Sequence, residues 1–123
     1  VLLEGAAVRA CLLLAVQMDG AQVTTVEGLS PATGLSVLQA AFKKHHALQC
    51  GFCTPGLLTT AHALLQENPR PTREQIREAI SGNLCRCTGY VPIVEAIEDA
   101  AHGGALLPLL CDRRAFRLLG ATR

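Results

Sequence analysis

Two tight pairs of cysteines constrain this chain more than any other feature. The first pair is Cys50-Gly51-Phe52-Cys53 and the second is Cys85-Arg86-Cys87. A set of four cysteine thiolates suits either an iron–sulfur cluster or a structural zinc ion. Zinc sites usually have two to four residues between paired cysteines, so a Cys-x-Cys pair is less common for zinc. The sequence therefore predicts a metal centre with these ligands: Cys50, Cys53, Cys85 and Cys87.

The remaining features of the cysteines concern the compartment and the alternatives to metal. No basic segment precedes Val1-Leu2-Leu3, which argues against a signal peptide and predicts a cytoplasmic chain that begins inside a longer protein. In that setting, six cysteines favour metal ligands plus spare thiols over disulfides. Cys111 is interpreted as a buried apolar residue. A thioredoxin-like role for Cys50 and Cys53 needs a preceding strand, whereas a helix is predicted there.

Composition limits the size and the partners of the fold. The 123 residues suffice for one ordinary domain or two very small ones. Half of the residues are apolar but only 3% are aromatic, so the predicted core is aliphatic. A formal charge of +1 gives no reason to expect nucleic acid or an anionic membrane as a partner. No apolar run reaches about 18 residues, so no transmembrane helix is predicted.

The first thirty residues carry the signals of short strands. Glu4-Gly5 predicts a turn between Val1–Leu3 and a second strand over Ala7–Leu14. Asp19-Gly20 is another turn signal, and the β-branched segment Gln22–Val26 follows it. Two or three strands of this length cannot bury a core of their own. We therefore expect them to pack against another part of the protein.

After a breaker-rich link at 30–34, apolar residues recur with the period of a helix, and four helices are predicted. The first, of roughly 13 residues, carries Leu35, Leu38 and Phe42 on its inner face. The other three begin at Thr54-Pro55, with Thr54 as N-cap, at the capping box of Thr72 and Gln75, and at Pro92.

The cysteine pairs have equivalent places in this pattern. Each pair follows one helix and precedes another that a proline helps to begin, so packing the two hairpins together would bring four sulfurs to one end of a bundle. The positive N-terminal ends of the second and fourth helices would favour an anionic cluster of thiolates there. Gly51, Gly82 and Gly89 are interpreted as loop residues that let backbone amides approach the sulfurs. Histidines are ligand candidates by type only and are interpreted as helix-face or surface residues: His45, His46, His62 and His102.

Two segments, Gln49–Gly56 and Gly82–Tyr90, together resemble the [2Fe-2S] subunit of molybdenum hydroxylases. That group includes xanthine dehydrogenase, aldehyde oxidoreductase and carbon monoxide dehydrogenase. The resemblance implies a mainly α fold, a four-helix [2Fe-2S]-binding bundle preceded by the remnant of a β-grasp ferredoxin-like domain. The implied boundaries are 1–30 for the remnant and 31–104 for the bundle, with 105–123 an unassigned tail.

The resemblance also implies roles for individual residues. It assigns the four paired cysteines to one [2Fe-2S] cluster and suggests that Gln49 contacts the pterin of the molybdenum cofactor. The loop of three cysteines that would bind a second cluster in that family is absent. Cys11 matches the remaining ligand of that cluster and is thus orphaned, so the chain resembles a subunit truncated at its N-terminus.

The function implied by the resemblance is electron transfer inside an oxidoreductase complex. Electrons would pass from a molybdopterin-binding large subunit, through the [2Fe-2S] cluster, toward FAD on a medium subunit. Two alternatives remain at this point: a zinc-stabilised interaction module without a redox role, and a stand-alone ferredoxin-like carrier that serves several partners.

Overall fold

Four α-helices and one small sheet make up the computed structural model, which describes residues 1–103. The predictions for Cys111 and for the tail at 105–123 lie outside the described residues. The predicted mainly helical architecture is confirmed. The strands are β1 (Leu2–Leu3), β2 (Ala6–Ala7) and β3 (Val23–Thr24), three 3-10 turns lie at Ala10–Leu12, Ala15–Met18 and Val26–Leu29, and the helices are α1 (Val37–Lys44), α2 (Thr54–Glu67), α3 (Arg73–Ile80) and α4 (Val91–Gly103).

The N-terminal sheet has the strand order β2-β1-β3, with both pairings antiparallel. The predicted hairpin turn is confirmed, because Glu4 and Gly5 both have positive φ angles, 51° and 89°, as a two-residue turn of type I′ requires. The prediction that the second strand runs to Leu14 is wrong. Pairing ends where the Val8 N–H donates to the Val1 carbonyl, and the next residues form 3-10 turns.

Helix α1 is shorter than the roughly 13 residues predicted. The Ser36 hydroxyl accepts the backbone N–H of Gln39, and the Gln39 side chain accepts the Ser36 N–H, so this capping box begins the helix after Leu35. Leu35 is 53% exposed, which corrects its predicted inward position, whereas Leu38 and Phe42 are buried as predicted.

The beginnings of the other helices follow their sequence signals within one residue. The predicted capping box of Thr72 and Gln75 begins α3. Cys53 rather than Thr54 occupies the N-cap of α2, which corrects the predicted cap by one position and places a candidate ligand at the helix end. Helix α4 likewise begins at Val91, one residue before Pro92.

One hydrophobic core joins the helices to the N-terminal segment. Helix α1 contacts α2 and α4, and α3 contacts α2 and α4, so the four helices form a closed ring of neighbours. Leu2 and Leu29 also belong to this core, which confirms that the short strands pack against another element. Full burial of one such side chain contributes about 1.5–3 kcal/mol. The largest fully buried side chains are Phe42, Leu57, Leu65, Ile76, Ile93 and Ile97.

Polar contacts fix the helices that flank the cysteine loops. Asp99 on α4 accepts hydrogen bonds from Lys44 at 2.8 Å and from the His45 ring at 2.9 Å, at the end of α1. Arg73 on α3 bonds Glu98 on α4 at 2.7 Å. The α1–α2 and α3–α4 connections carry the two cysteine pairs, so these contacts help to position the loops. Among residues 1–103, no helix is long and apolar enough to cross a membrane.

Candidate metal centre

The two cysteine pairs meet across the loops that precede α2 and α4. The Sγ atoms of Cys50 and Cys87 lie 3.5 Å apart, and both residues are exposed. Cys53 and Cys85, the other cysteine of each pair, are both partly buried, and each thiol affects the pKa of the other. Each of these two couples thus takes one sulfur from each loop.

The first loop is shaped by Gly51, whose φ angle of 81° lies in the left-handed region. The backbone N–H of Phe52, the next residue, donates to the Cys50 sulfur. That hydrogen bond, followed by the one from Cys87, holds the pKa of the Cys50 thiol below its usual value. The Thr54 N–H then donates to the Gly51 carbonyl at 3.2 Å and leads into α2.

The second loop is held by Tyr90, a non-glycine residue with a φ angle of 69°. The Tyr90 hydroxyl accepts the backbone N–H of Cys85 at 2.8 Å and donates to the carbonyl of Asn83 at 3.2 Å. The Asn83 side chain in turn donates to the Thr60 hydroxyl on α2 at 3.0 Å. The loop is therefore held to Tyr90, the residue directly before α4, through the phenol and to α2 through the amide.

The thiols of the partly buried couple have opposite tendencies to ionise. The Thr88 hydroxyl lies 3.2 Å from the Cys85 sulfur and is the main cause that lowers the pKa of Cys85, to about 7. Burial, followed by the hydrogen bond to Cys85, raises the pKa of Cys53 to about 11. Without metal, Cys53 therefore keeps its proton at neutral pH. A metal that binds Cys53 must displace that proton, because the thiolate is the metal ligand.

Four cysteine side chains suit a metal centre by their chemistry. Within residues 1–103, however, the structure gathers no group of three or more Cys, His, Asp or Glu side chains that could hold a metal ion. The Oγ1 atom of Thr54, next to Cys53, is a buried side-chain atom without a hydrogen-bond partner. Such an orphaned hydroxyl beside a candidate ligand suits the acceptor sulfurs of a bound iron–sulfur group.

Gly82 and Gly89, the other two glycines of the predicted loops, serve different purposes. Gly89 has a φ angle of 68°, so it provides loop geometry as predicted. Gly82 instead makes room for Arg9, whose Nη2 donates to the Gly82 carbonyl at 3.2 Å. A Cβ atom at Gly82 would collide with that guanidinium. Sequence reasoning did not identify Arg9, because no local pattern signals a contact across 73 positions.

The other candidate residues lie around the thiols or away from them. Gln49 is exposed beside Cys50. Cys11 is exposed on the 3-10 turn Ala10–Leu12, and within the described residues no hydrogen bond joins it to the four paired cysteines. The histidines lie on helices or the surface as interpreted: His45 bonds Asp99, His46 is exposed, His102 bonds the Glu98 carbonyl, and burial lowers the pKa of the half-buried His62.

Two large apolar side chains project into solvent next to the thiols. Phe52, between the cysteines of the first loop, is 93% exposed, and Leu84, directly before Cys85, is 86% exposed. Burying either side chain in the core would have contributed to stability. Their exposure on both loops therefore marks this end of the bundle as a candidate contact surface.

Residues 25–98 match the family model of the [2Fe-2S] binding domain. The chain is 63% identical over 100 residues to the nicotine 6-hydroxylase small subunit of Paenarthrobacter nicotinovorans, a match that covers 81% of this chain and 60% of that protein. It is 48% identical over 102 residues to the nicotinate dehydrogenase small FeS subunit of Eubacterium barkeri, covering 83% of this chain and 65% of the relative. The chain thus spans less than two thirds of the length of these relatives.

Two solved structures share the fold of this chain. Quinoline 2-oxidoreductase from Pseudomonas putida 86 superimposes with a TM-score of 0.78 at 58% identity, covering 81% of this chain and 62% of that one. The aldehyde oxidoreductase from Desulfovibrio gigas gives a TM-score of 0.77 at 46% identity, covering 81% of this chain and 11% of the longer enzyme. By their names, the relatives similar in sequence and the structures similar in fold are all oxidoreductases or subunits of oxidoreductases.

Proposed function

Because the chain belongs to the [2Fe-2S]-binding family, among the iron–sulfur subunits of molybdenum hydroxylases, we propose that it relays electrons in such a complex. One [2Fe-2S] cluster would be held by Cys50, Cys53, Cys85 and Cys87. The observation that carries this proposal is the meeting of the two cysteine pairs, in which the Sγ atoms of Cys50 and Cys87 lie 3.5 Å apart. A [2Fe-2S] cluster takes four cysteine thiolates, and two irons need two each.

When bound, the cluster supplies a centre that accepts and releases single electrons. The chain holds the four thiolates and stabilises their negative charge. Cys53 is the N-cap of α2, where the helix dipole favours an anion. Hydrogen bonds from the Phe52 N–H to Cys50 and from the Thr88 hydroxyl to Cys85 add to that stabilisation.

The exposed apolar surface supports a subunit rather than a stand-alone carrier. Phe52 and Leu84 flank the thiols and leave large apolar side chains in solvent. A partner that covers them would also bring its redox group close to the exposed couple of Cys50 and Cys87. We assign this surface to the molybdopterin-binding large subunit, with Gln49 as a contact of the pterin. Electrons would then continue toward FAD on a medium subunit.

The N-terminal segment is proposed to belong to a second redox domain. Residues 1–30 would be the C-terminal part of a β-grasp ferredoxin-like domain, with Cys11 as one ligand of its own [2Fe-2S] cluster. Residues 31–104 would form the four-helix domain, and 105–123 stay unassigned. The greater length of the relatives supports this division, since about two fifths of the nicotine 6-hydroxylase small subunit lies outside the match.

Aromatic N-heterocycles are the substrate class that we propose for the complete complex. The relatives that share 63% and 58% identity are named for nicotine and for quinoline. The substrate would bind the large subunit, so a reconstituted complex is needed for the test. Reduction of a dye by quinoline but not by a simple aldehyde would support the proposal, and the reverse preference would overturn it.

The cluster itself is tested on the chain alone. After anaerobic reconstitution, we expect about two irons and two sulfides per chain and a red-brown spectrum that dithionite bleaches. One zinc ion and no colour, with iron in excess, would replace this proposal with the zinc-stabilised module.

A further inference from the structure

The side chain of Thr88 links the Cys85 sulfur to the beginning of α4. Its Oγ1 atom lies 3.2 Å from Cys85 Sγ, and the backbone N–H of Tyr90 donates to the same oxygen at 3.2 Å. A hydroxyl has one hydrogen and two lone pairs. Because Tyr90 occupies a lone pair, the hydroxyl hydrogen stays available for the sulfur. A metal-bound thiolate has no proton, so in the loaded protein this hydrogen bond runs from Thr88 to Cys85.

The geometry of this hydrogen bond is fixed from both sides. The Tyr90 ring returns over the loop, accepts the Cys85 N–H at 2.8 Å and donates to the Asn83 carbonyl. Backbone and side chain of Tyr90 therefore hold Thr88 and Cys85 in one small network. Rigid support of this kind lets an outer hydrogen bond act on a metal ligand with a defined length and direction.

Thr88 also distinguishes one ligand from the other three. Among the hydrogen bonds of residues 1–103, the one between Thr88 and Cys85 is the only contact of a side-chain hydroxyl with a cysteine sulfur. Reduction adds one electron, and hence one negative charge, to the cluster and its thiolates. A donor to a thiolate is more strongly held as that charge grows, so it stabilises the reduced state.

We propose that Thr88 is a positioning residue that raises the reduction potential of the [2Fe-2S] cluster through its hydrogen bond to Cys85. The inference rests on the proposed function, because it requires that Cys85 is a ligand. It goes beyond that function by assigning to one side chain a part of the driving force for electron transfer. The substitution Thr88→Val removes the hydroxyl and keeps the branched shape, whereas Thr88→Ser keeps the hydroxyl.

The test is a redox titration of the reconstituted chain, with Thr33→Val as the matched control at an exposed position. At the wild-type midpoint, we expect the ratio of reduced to oxidised cluster to fall about tenfold in Thr88→Val, or about 59 mV for one electron. Thr88→Ser should have a midpoint potential close to that of the wild type, because it keeps the hydroxyl. The midpoint potential of Thr33→Val should equal that of the wild type.

The outcomes separate this inference from the proposed function. A wild-type chain without iron and sulfide overturns the proposed function and the inference with it. Iron in every variant, with equal potentials in Thr88→Val and the wild type, overturns the inference alone. The inference is also overturned if the midpoint potential of Thr88→Ser is as low as that of Thr88→Val, or if the midpoint potential of Thr33→Val falls by the same amount. Should Thr88→Val not retain iron, Thr88→Ala takes its place, and an unchanged potential there also overturns the inference.

Discussion

The phenol oxygen of Tyr90 lies 2.8 Å from the backbone nitrogen of Cys85 and accepts its N–H, although Tyr90 follows Cys85 by only five positions. To reach back in this way, the backbone at Tyr90 adopts a φ angle of 69°, which costs a non-glycine residue energy. The Tyr90 side chain thus connects the two sides of the loop that carries the second cysteine pair.

The substitution Tyr90→Phe tests whether the hydrogen bonds of the Tyr90 hydroxyl position this loop. The ring would stay, but the Cys85 N–H and the Asn83 carbonyl would lose a partner. We expect the free energy of unfolding to fall by about 1–2 kcal/mol and a chelator to remove iron faster. Urea denaturation and the rate of bleaching measure the two effects. Phe52→Leu, an exposed change in the other loop, should alter stability by no more than about 0.5 kcal/mol. Equal iron loss in Tyr90→Phe and the wild type would contradict this role.

Serine substitutions test which cysteines bind the cluster. Cys85→Ser removes one of four thiolates, so we expect reconstituted iron to be lost or to be released on gel filtration. Cys11→Ser should retain the full iron and sulfide content, since Cys11 is exposed and away from the couples. If the proposed complex with a large and a flavin subunit is reconstituted, Cys85→Ser should also abolish flavin reduction by substrate. Unchanged iron in Cys85→Ser, or its loss in Cys11→Ser, would refute the ligand assignment.

The metal-free chain should oxidise selectively. Cys50 and Cys87 are exposed with their sulfurs 3.5 Å apart, and the lowered pKa of Cys50 increases its thiolate fraction at neutral pH. Diamide, which takes up two electrons and two protons per disulfide, should therefore link these two cysteines first. Peptide mapping by mass spectrometry identifies the product. A first disulfide between Cys53 and Cys85 would contradict this prediction. Burial raises the pKa of Cys53, so little of its reactive thiolate is present at neutral pH.

The bridge between α1 and α4 should make stability depend on pH in the acidic range. Hydrogen bonds from Lys44, then from His45, hold the pKa of Asp99 below its usual value. A depressed carboxyl pKa contributes stability above the unfolded value, and this contribution is lost as the pH falls below about 4. Asp99→Asn should lower the stability of the metal-free chain at pH 6 and flatten its decline toward pH 3. Glu95→Gln, on the exposed side of the same helix, is the control. Parallel pH profiles for Asp99→Asn and the wild type would count against the bridge.

Much of the site follows from local sequence signals. The cysteine spacing and the prolines near the starts of α2 and α4 predict that the two pairs lie in equivalent loops, and the capping box of Thr72 predicts the beginning of α3. These signals act within one helical turn, so they can be recognised without a fold. The spacing of the cysteines alone left the choice between iron and zinc open. The resemblance to molybdenum hydroxylase subunits favoured an iron–sulfur cluster and added the expected partners.

The rest depends on contacts that no local pattern encodes. Leu35 fits the helical period, yet it is exposed, because the capping box of Ser36 and Gln39 begins α1 at Val37, after Leu35 in the chain. Which sulfur approaches which is likewise decided by the packing of the hairpins. The hydroxyl of Thr88 appears in the sequence as an ordinary loop residue, and only its distance to Cys85 gives it a role.

The bond from Arg9 to the Gly82 carbonyl has a consequence for protein engineering. It ties the N-terminal segment to the residue that opens the second cysteine loop, and a Cβ atom at position 82 would require the end of the Arg9 side chain to move. A chimera that exchanges residues 1–30 with those of a relative must therefore treat positions 9 and 82 as one unit. An alanine at position 82 would displace the guanidinium and, within residues 1–103, remove the side-chain hydrogen bond that joins the graft to that loop.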